Sequence, residues 1–239
     1  MSVYNIVFSP TGGTRKAADL FTGAYCPEHT CVDLTDYDTD FSAISFDEKD
    51  ICIISVPSYG GRVPAFALSR LCKMKGNGAS AILIVVYGNR AYDDTFAELQ
   101  DTVTASGFSC IAAVAAVAEH SIMRQFAAGR PDAQDEKELA DFARTVRSRM
   151  ESGSLSACLN LPGNRPYREY GGVPMKPQTG KACTGCGLCA KECPVKAIPA
   201  DDPSKTDTKS CISCMRCIAV CTQQCAACSR QHEIEKGLQ

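Results

Sequence analysis

Short apolar runs alternate with segments of helical periodicity over the first 150 residues of the chain. Two of the runs, 51–54 and 82–86, are apolar at every position, which is typical of strands that helices cover on both faces. The predicted strands are 3–8, 30–34, 50–56, 80–87 and 110–118, and the predicted helices are 14–22, 64–72, 92–105 and 135–150. This alternation predicts a doubly wound α/β domain with a parallel sheet of five strands, and right-handed crossovers favour the strand order 2-1-3-4-5.

The length of 239 residues suggests two domains, and the pattern changes where the first one ends. Residues 153–180 break the alternation with several glycines and with Pro162, Pro166, Pro174 and Pro177. Because proline fixes φ, we predict an extended linker, or else a strap that packs on the ligand-binding side of the first domain through Tyr167 and Tyr170. The predicted division is therefore a sheet domain at 1–152, a linker at 153–180 and a small C-terminal domain at 181–239.

The C-terminal segment repeats one cysteine spacing twice, as C-x2-C-x2-C-x3-C. The first run is Cys183, Cys186, Cys189 and Cys193, and the second run is Cys211, Cys214, Cys217 and Cys221. Three cysteines separated by two residues wrap one cluster, while the fourth points away and binds the other cluster. The spacing therefore predicts two 4Fe-4S clusters. We expect the first cluster to be bound by Cys183, Cys186, Cys189 and Cys221, and the second by Cys211, Cys214, Cys217 and Cys193.

Zinc sites and disulfides are the alternative uses of these cysteines. Structural zinc sites use sets of four ligands, typically two distant C-x2-C pairs, so two runs of four favour iron–sulfur clusters. The sequence shows no signal peptide, and we therefore expect a reducing, cytoplasmic location in which disulfides are rare. The second run is followed by Thr222 where Pro194 follows the first, a change that loosens the turn and removes no ligand.

The doubled motif resembles that of bacterial two-cluster ferredoxins over residues 181–226, which implies a small α+β ferredoxin-like domain. Cys225 and Cys228 continue the cysteine run beyond the motif. Two thiols cannot bind a third cluster, so we expect both to be spectators, with redox or ligand-exchange behaviour as the alternative.

The first predicted strand runs directly into Ser9, Pro10, Thr11, Gly12, Gly13 and Thr14, and then into a helix. Hydroxyl groups and free amides at a helix N-terminus bind anions, and glycines let the backbone close around a phosphate. The loop lacks the lysine of a nucleoside-triphosphate loop, which favours a monophosphate. An ordinary helix cap is the alternative. The position favours a ligand site, because ligands of such sheets bind beyond the carboxyl ends of the first and third strands.

Two further loops leave the same edge of the predicted sheet. The third strand is followed by Ser58, Tyr59, Gly60 and Gly61, and the fourth by Gly88 and Asn89. Aromatic rings beside glycines suit a flat heterocycle, because the ring stacks while the backbone reaches its edge. Together with the S-x-T-G-x-T pattern of the first loop, this arrangement resembles flavodoxins over about residues 1–150.

The resemblance to flavodoxins implies that the cofactor is FMN. By the match, its phosphate would be bound by Ser9, Thr11, Gly12, Gly13 and Thr14. Its isoalloxazine would be bordered by Ser58, Tyr59, Gly60, Gly61, Gly88 and Asn89. Plain glycine turns are the alternative at either of the later loops. Arg15 and Lys16 depart from the flavodoxin pattern, and we expect them to solvate the helix face.

Charge and hydropathy exclude two classes of partner. The formal net charge is −2 with 22% charged residues, which disfavours nucleic-acid binding. No apolar run reaches the ~18 residues of a membrane span.

The whole chain resembles the flavodoxin-like and ferredoxin fusions of anaerobic bacteria and archaea. This resemblance implies an electron-transfer protein that links one-electron and two-electron redox partners, such as a ferredoxin, a flavoprotein or a reductase. A flavin-dependent reductase of a small substrate, with His120 or Tyr92 near the flavin for proton transfer, is the alternative. An iron or redox sensor is a third interpretation, and a homodimer that exchanges domains stays open.

Overall fold

The structure is a computed structural model that describes residues 1–155 and 159–228. Its larger sheet consists of β1 (Val3–Val7), β2 (Thr30–Asp33), β3 (Ile51–Pro57), β4 (Ser80–Tyr87) and β5 (Ser109–Val117). The strands are all parallel and lie in the order β2-β1-β3-β4-β5. This order is the flavodoxin-like one, and it confirms the prediction.

Four helices cover the two faces of this sheet: α1 (Gly13–Tyr25), α2 (Ala65–Leu71), α3 (Thr95–Ala105) and α4 (Ala133–Glu151). On one face, α1 and α4 bury Phe21 and Leu139 against the strands. On the other face, α2 and α3 bury Leu71 and Leu99. Because both faces are covered, every residue of 51–56 is buried. Within the described ranges, no helix combines the length and the apolar character that crossing a membrane requires.

Two helix starts differ from the predicted ones for local reasons. α3 begins at Thr95 rather than at residue 92, because 93–94 form a turn in which Asp93 has a φ of 40°. α4 begins at Ala133, after Asp132 accepts hydrogen bonds from the amides of Gln134 and Asp135. Such a cap stabilises the first turn, so the helix begins two residues before the predicted start.

Residues 159–176, which we call the strap, pack along the sheet domain. Leu159 and Leu161 contact its core, and the Gln100 side chain donates to the carbonyl of Leu159 at 2.8 Å. Farther along, the side chain of Arg165 forms an ion pair with Asp101 at 2.7 Å. The segment is therefore a packed strap rather than a free tether.

The cysteine-rich segment folds around a second, antiparallel sheet of two strands, β6 (Pro177–Thr179) and β7 (Ala226–Cys228). Two short helices, α5 (Leu188–Lys191) and α6 (Arg216–Ala219), lie between these strands in the sequence. The pairing begins at Pro177, inside the segment predicted as a linker. Residues 229–239 of the predicted C-terminal domain lie outside the described residues.

The cysteine-rich part docks on the sheet domain through a buried cation and a small apolar cluster. The Arg70 guanidinium, on α2, donates to the carbonyl of Leu34 and, at 2.8 Å, to that of Pro194. Ile122 and Met215 are buried together, and Val173 of the strap packs against them. Three segments that are distant in sequence therefore share one interface.

We expect the substitution Asp94→Ala to release the strap. The buried Asp94 carboxylate accepts hydrogen bonds from the amides of Asn164 and Arg168, each at 2.7 Å. Its loss leaves two amides without a partner, which destabilises the closed strap by about 2 kcal/mol. Hydrogen exchange should accelerate at 164–168 and stay unchanged in β3. The control Asp141→Ala removes only an exposed ion pair with Arg144, so it should leave the strap closed.

The same contact makes the strap sensitive to acid. The amides of Asn164 and then Arg168 lower the pKa of the Asp94 carboxyl below its ordinary value of 3.8, although burial acts in the opposite direction. The closed strap therefore favours the ionised carboxylate. The stabilisation is complete when the pH is above the ordinary pKa, and it is lost as the pH falls through the lowered pKa of Asp94. Protection at 164–168 should fall in acid in the wild type. An equal fall in Asp94→Ala would show that another group is responsible.

Candidate functional site

A cleft opens at the carboxyl ends of β1, β3, β4 and β5. Four loops of the sheet domain line it, and the strap and the cysteine-rich part close it. The lining residues include Thr11, Gly13, Thr14, Ser58, Tyr59, Gly60, Gly88, His120, Tyr170, Val173, Ile212 and Ser213.

The N-terminus of α1 forms one end of the cleft. Gly12 precedes the helix with a left-handed φ of 96°, and as a glycine it has no side chain to cap the first turn. A Cβ added at Gly12 would contact nothing within 4 Å, so the backbone is open at this point. Thr11, Gly13 and Thr14 line the cleft. A helix start with a glycine at its N-cap and two hydroxyl groups beside it suits an anion such as a phosphate.

Ser9 and Gly12, which the sequence also assigns to phosphate binding, do not line the cleft. The Ser9 hydroxyl accepts the amide of Arg15 at 2.8 Å, so it serves the start of the helix instead. Arg15 pairs with Asp33 at 3.2 Å, and the ammonium group of Lys16 donates to the carbonyl of Pro131 at 2.5 Å. Both cations therefore bond protein groups on the helix side.

The loops after β3 and β4 form the long walls of the cleft. Gly60 faces the ring of Tyr170, which leaves no room for a Cβ, and a Cβ at Gly88 would lie 2.6 Å from the ring of His120. Two other predicted residues lie outside the lining: Gly61 packs against Asp93, and Asn89 is exposed. The glycines at the cleft therefore give close approach to aromatic rings, as a flat ligand requires.

His120 is the one of the two proposed proton-transfer residues that reaches the cleft. Its Nδ1 accepts the amides of Ile122 at 3.2 Å and Met123 at 3.0 Å, which places the proton of the neutral ring on Nε2. Burial lowers the pKa of His120, so the ring is neutral at pH 7. Tyr92 does not line the cleft, because it packs edge-on against Tyr87 and Phe96 with ring centroids 5.3 and 5.1 Å apart.

The cysteine runs form two groups of thiols with different exposure. Cys193, Cys214 and Cys217 are buried, whereas Cys186 is exposed. Burial, and then the neighbouring Cys193 and Cys211, raise the pKa of the Cys214 thiol to about 12, although the amide of Arg216 acts against this. Cys193 therefore lies beside members of the second run, although it belongs to the first run in the sequence.

Backbone amides point at the sulfurs of both groups. Gly185 donates to Cys183 at 3.4 Å, Ser213 to Cys211 at 3.4 Å and Ala197 to Cys193 at 3.2 Å. Within 1–155 and 159–228, no three Cys, His, Asp or Glu side chains converge closely enough to hold a single metal ion. A four-iron cluster does not need such convergence, since each thiolate binds a different iron. Thiols with amide donors on their sulfur fit such a cluster.

Ile212 and Ser213 are site residues that sequence reasoning missed. They lie between Cys211 and Cys214, and they line the cleft beside Tyr59. Burial, and then the neighbouring Cys214 thiol, raise the pKa of Tyr59. Nothing in the motif distinguishes these two positions, because their role depends on how the two parts dock.

Comparisons with known proteins give the following matches. Residues 176–222 match a family described as a 4Fe-4S dicluster domain. The flavodoxin of Streptococcus pneumonia TIGR4 aligns with 62% of this chain and 99% of its own at 19% identity and a TM-score of 0.44. Oxidised Flavodoxin 1 from Bacillus cereus aligns with 62% of this chain and 98% of its own at 14% identity and a TM-score of 0.44. An azoreductase from Bacillus anthracis aligns with 61% of this chain and 100% of its own at 13% identity and a TM-score of 0.43.

The strand order and the family match together define the class of protein. A flavodoxin-like sheet domain is joined in one chain to a 4Fe-4S dicluster domain.

We expect Cys193→Ala to release the cluster of the second run, because Cys193 lies with Cys211 and Cys214. Iron per chain should fall by about half. Alkylation of the folded Cys193→Ala variant, mapped by mass spectrometry, should then label Cys211 and Cys214, which have lost their iron, but not Cys183. Labelling of Cys183 alone would show that the fourth cysteine does not cross over. Cys110→Ala, which removes a buried thiol of β5, is the matched control and should retain all iron.

Proposed function

We propose that this protein transfers electrons between two 4Fe-4S clusters and an FMN, and so links a one-electron carrier to a two-electron partner. The clusters would supply one electron at a time, and the flavin would hold one or two. The proposal is carried by one observation: Ile212 and Ser213, in the loop between Cys211 and Cys214, line the same cleft as Thr11 and Gly88. A shared wall would bring the two kinds of redox site together.

The residues at both ends of the cleft support FMN as the cofactor. Thr11, Gly13 and Thr14 at the start of α1 would hold the phosphate, where the partial positive charge of the helix favours an anion. Tyr59 and Tyr170 would border the isoalloxazine, and the Nε2 hydrogen of His120 would be available as a donor. The absence of a lysine from the 9–14 loop favours a single phosphate.

The exposure of the thiols supports separate roles for the two clusters. The first cluster, bound by Cys183, Cys186, Cys189 and Cys221, would face solvent, because Cys186 is exposed. The second, bound by Cys211, Cys214, Cys217 and Cys193, would face the flavin cleft through Ile212. We infer that a one-electron partner such as a ferredoxin meets the first cluster. A flavoprotein or reductase partner would meet the flavin, and a homodimer is compatible with this arrangement.

A flavin-dependent reductase is the second candidate function, and a groove beside the cleft favours it. This groove shares Tyr59, Tyr170 and Ile212 with the cleft. Its Arg62 is paired with Glu98, and Lys176 and Lys209 give it basic groups. A small anionic substrate could therefore approach the flavin. Reduction of a small substrate by reduced ferredoxin, with no added protein acceptor, would favour the reductase over the electron carrier.

The proposed cofactors are tested by an anaerobic absorbance spectrum with chemical analysis. We expect about eight iron and eight sulfide per chain, together with one FMN, since each cluster holds four irons. Four irons, or zinc in their place, would contradict the cluster proposal. The absence of flavin binding after reconstitution would contradict the role of the cleft.

We expect Thr11→Val to weaken FMN binding by roughly tenfold or more, because a hydroxyl bond to a charged phosphate contributes ~1.5–3 kcal/mol. Titration of the apoprotein should show this loss for FMN and little change for riboflavin, which has no phosphate. Thr145→Val, at an exposed position of α4, is the matched control. Equal affinities of the wild type for FMN and riboflavin would show that the loop holds no phosphate.

A further inference from the structure

We propose that Cys225 is a second thiol for the iron that Cys221 binds, so that the first cluster can exchange one ligand for the other. The inference rests on the two clusters proposed above. It assigns a role to a residue that belongs to neither cysteine motif and that the sequence predicts to be a spectator.

The position of the Cys225 thiol is the first observation. Its Sγ lies 3.3 Å from the Sγ of Cys221. Cys221 is the expected fourth ligand of the first cluster. At 3.3 Å, Cys225 can replace Cys221 at one iron after a small rotation of its side chain.

The backbone holds Cys225 in this place. Its carbonyl accepts the amide of Gly180 at 2.6 Å, at the point where β6 ends. The next residue begins β7, which pairs with β6. The chain after Cys221 is therefore tied to the sheet of the cluster domain, and the thiol is presented to the cluster by a fixed backbone.

The two halves of the double motif provide an internal comparison. In the first half, the amide of Ala197, four residues after Cys193, donates to the Cys193 sulfur at 3.2 Å. In the second half, Cys225 is likewise four residues after Cys221, and its Sγ lies 3.3 Å from the Cys221 sulfur. Positions 197 and 225 are thus equivalent, and one carries a methyl group where the other carries a thiol. At this position only the first cluster has a thiol in reserve.

The exchange is balanced without an outside reagent. The bond between iron and the Cys221 sulfur breaks, and a bond between the same iron and the Cys225 sulfur forms. The proton of the Cys225 thiol passes to the departing Cys221 sulfur over the 3.3 Å contact. No electron is gained or lost. The exposed Cys186 makes the first cluster the more accessible one to solvent. The reserve thiol therefore lies at the cluster that is more open to ligand loss.

Iron retention in full-length variants tests the proposal. Anaerobically purified Cys221→Ala and Cys225→Ala should each keep about eight irons per chain, whereas the double variant should keep about four. Cys193→Ala is the matched control, and it should fall to about four by itself, because Ala197 offers no thiol. If Cys221→Ala loses as much iron as the double variant, the proposal is wrong. If the wild type itself lacks eight irons, the two-cluster proposal fails instead.

Alkylation gives a second readout that does not depend on the folding of the double variant. In the wild type, iodoacetamide should label Cys225 of the iron-loaded protein. In Cys221→Ala, Cys225 should be protected while iron is bound and should become labelled after chelation. Labelling of Cys225 in iron-loaded Cys221→Ala would overturn the proposal. Far-UV circular dichroism of each variant verifies that the fold is retained.

Discussion

The placement of the cysteine-rich part on the sheet domain depends on the buried guanidinium of Arg70. It donates to the carbonyl of Leu34, the residue after β2. It also donates to the carbonyl of Pro194, the residue after Cys193. The rings of Phe41 and Phe66 lie 5.4 and 5.8 Å from it. Water cannot replace these partners in a buried site, so losing either one is costly. The contact fixes the second group of thiols relative to the carboxyl edge of the sheet.

This fixed pose determines the form of the cleft. The Arg216 side chain donates to the carbonyl of Pro10 at 3.2 Å, in the loop that precedes α1. Ile122, Val173 and Met215 close the apolar contact between the parts. With the parts held in this way, the loop between Cys211 and Cys214 becomes a wall of the cleft. The buried Cys214 ends this loop, and the exposed Cys186 lies in the other group.

The sheet order was predictable because it follows from local periodicity and from the handedness of crossovers. Thr11, Gly13 and Thr14 were predictable for a similar reason, since a loop after the first strand must lie at the ligand edge. Sequence could not show that the Ser9 hydroxyl bonds the Arg15 amide, or that Tyr92 packs between two rings. It could not show the contribution of Ile212 either, because tertiary docking brings this residue to the cleft.

The central claim is that the clusters and the flavin of one chain serve each other. Its most direct test is the rate at which prereduced clusters reduce the flavin. This rate is followed by freeze-quench spectroscopy at several protein concentrations. Our account predicts a first-order rate that does not depend on protein concentration. It also predicts a slower rate in Arg70→Met, which disturbs the docking while leaving all cluster ligands in place. A rate that rises in proportion to protein concentration would contradict the account, because the electrons would then come from another molecule.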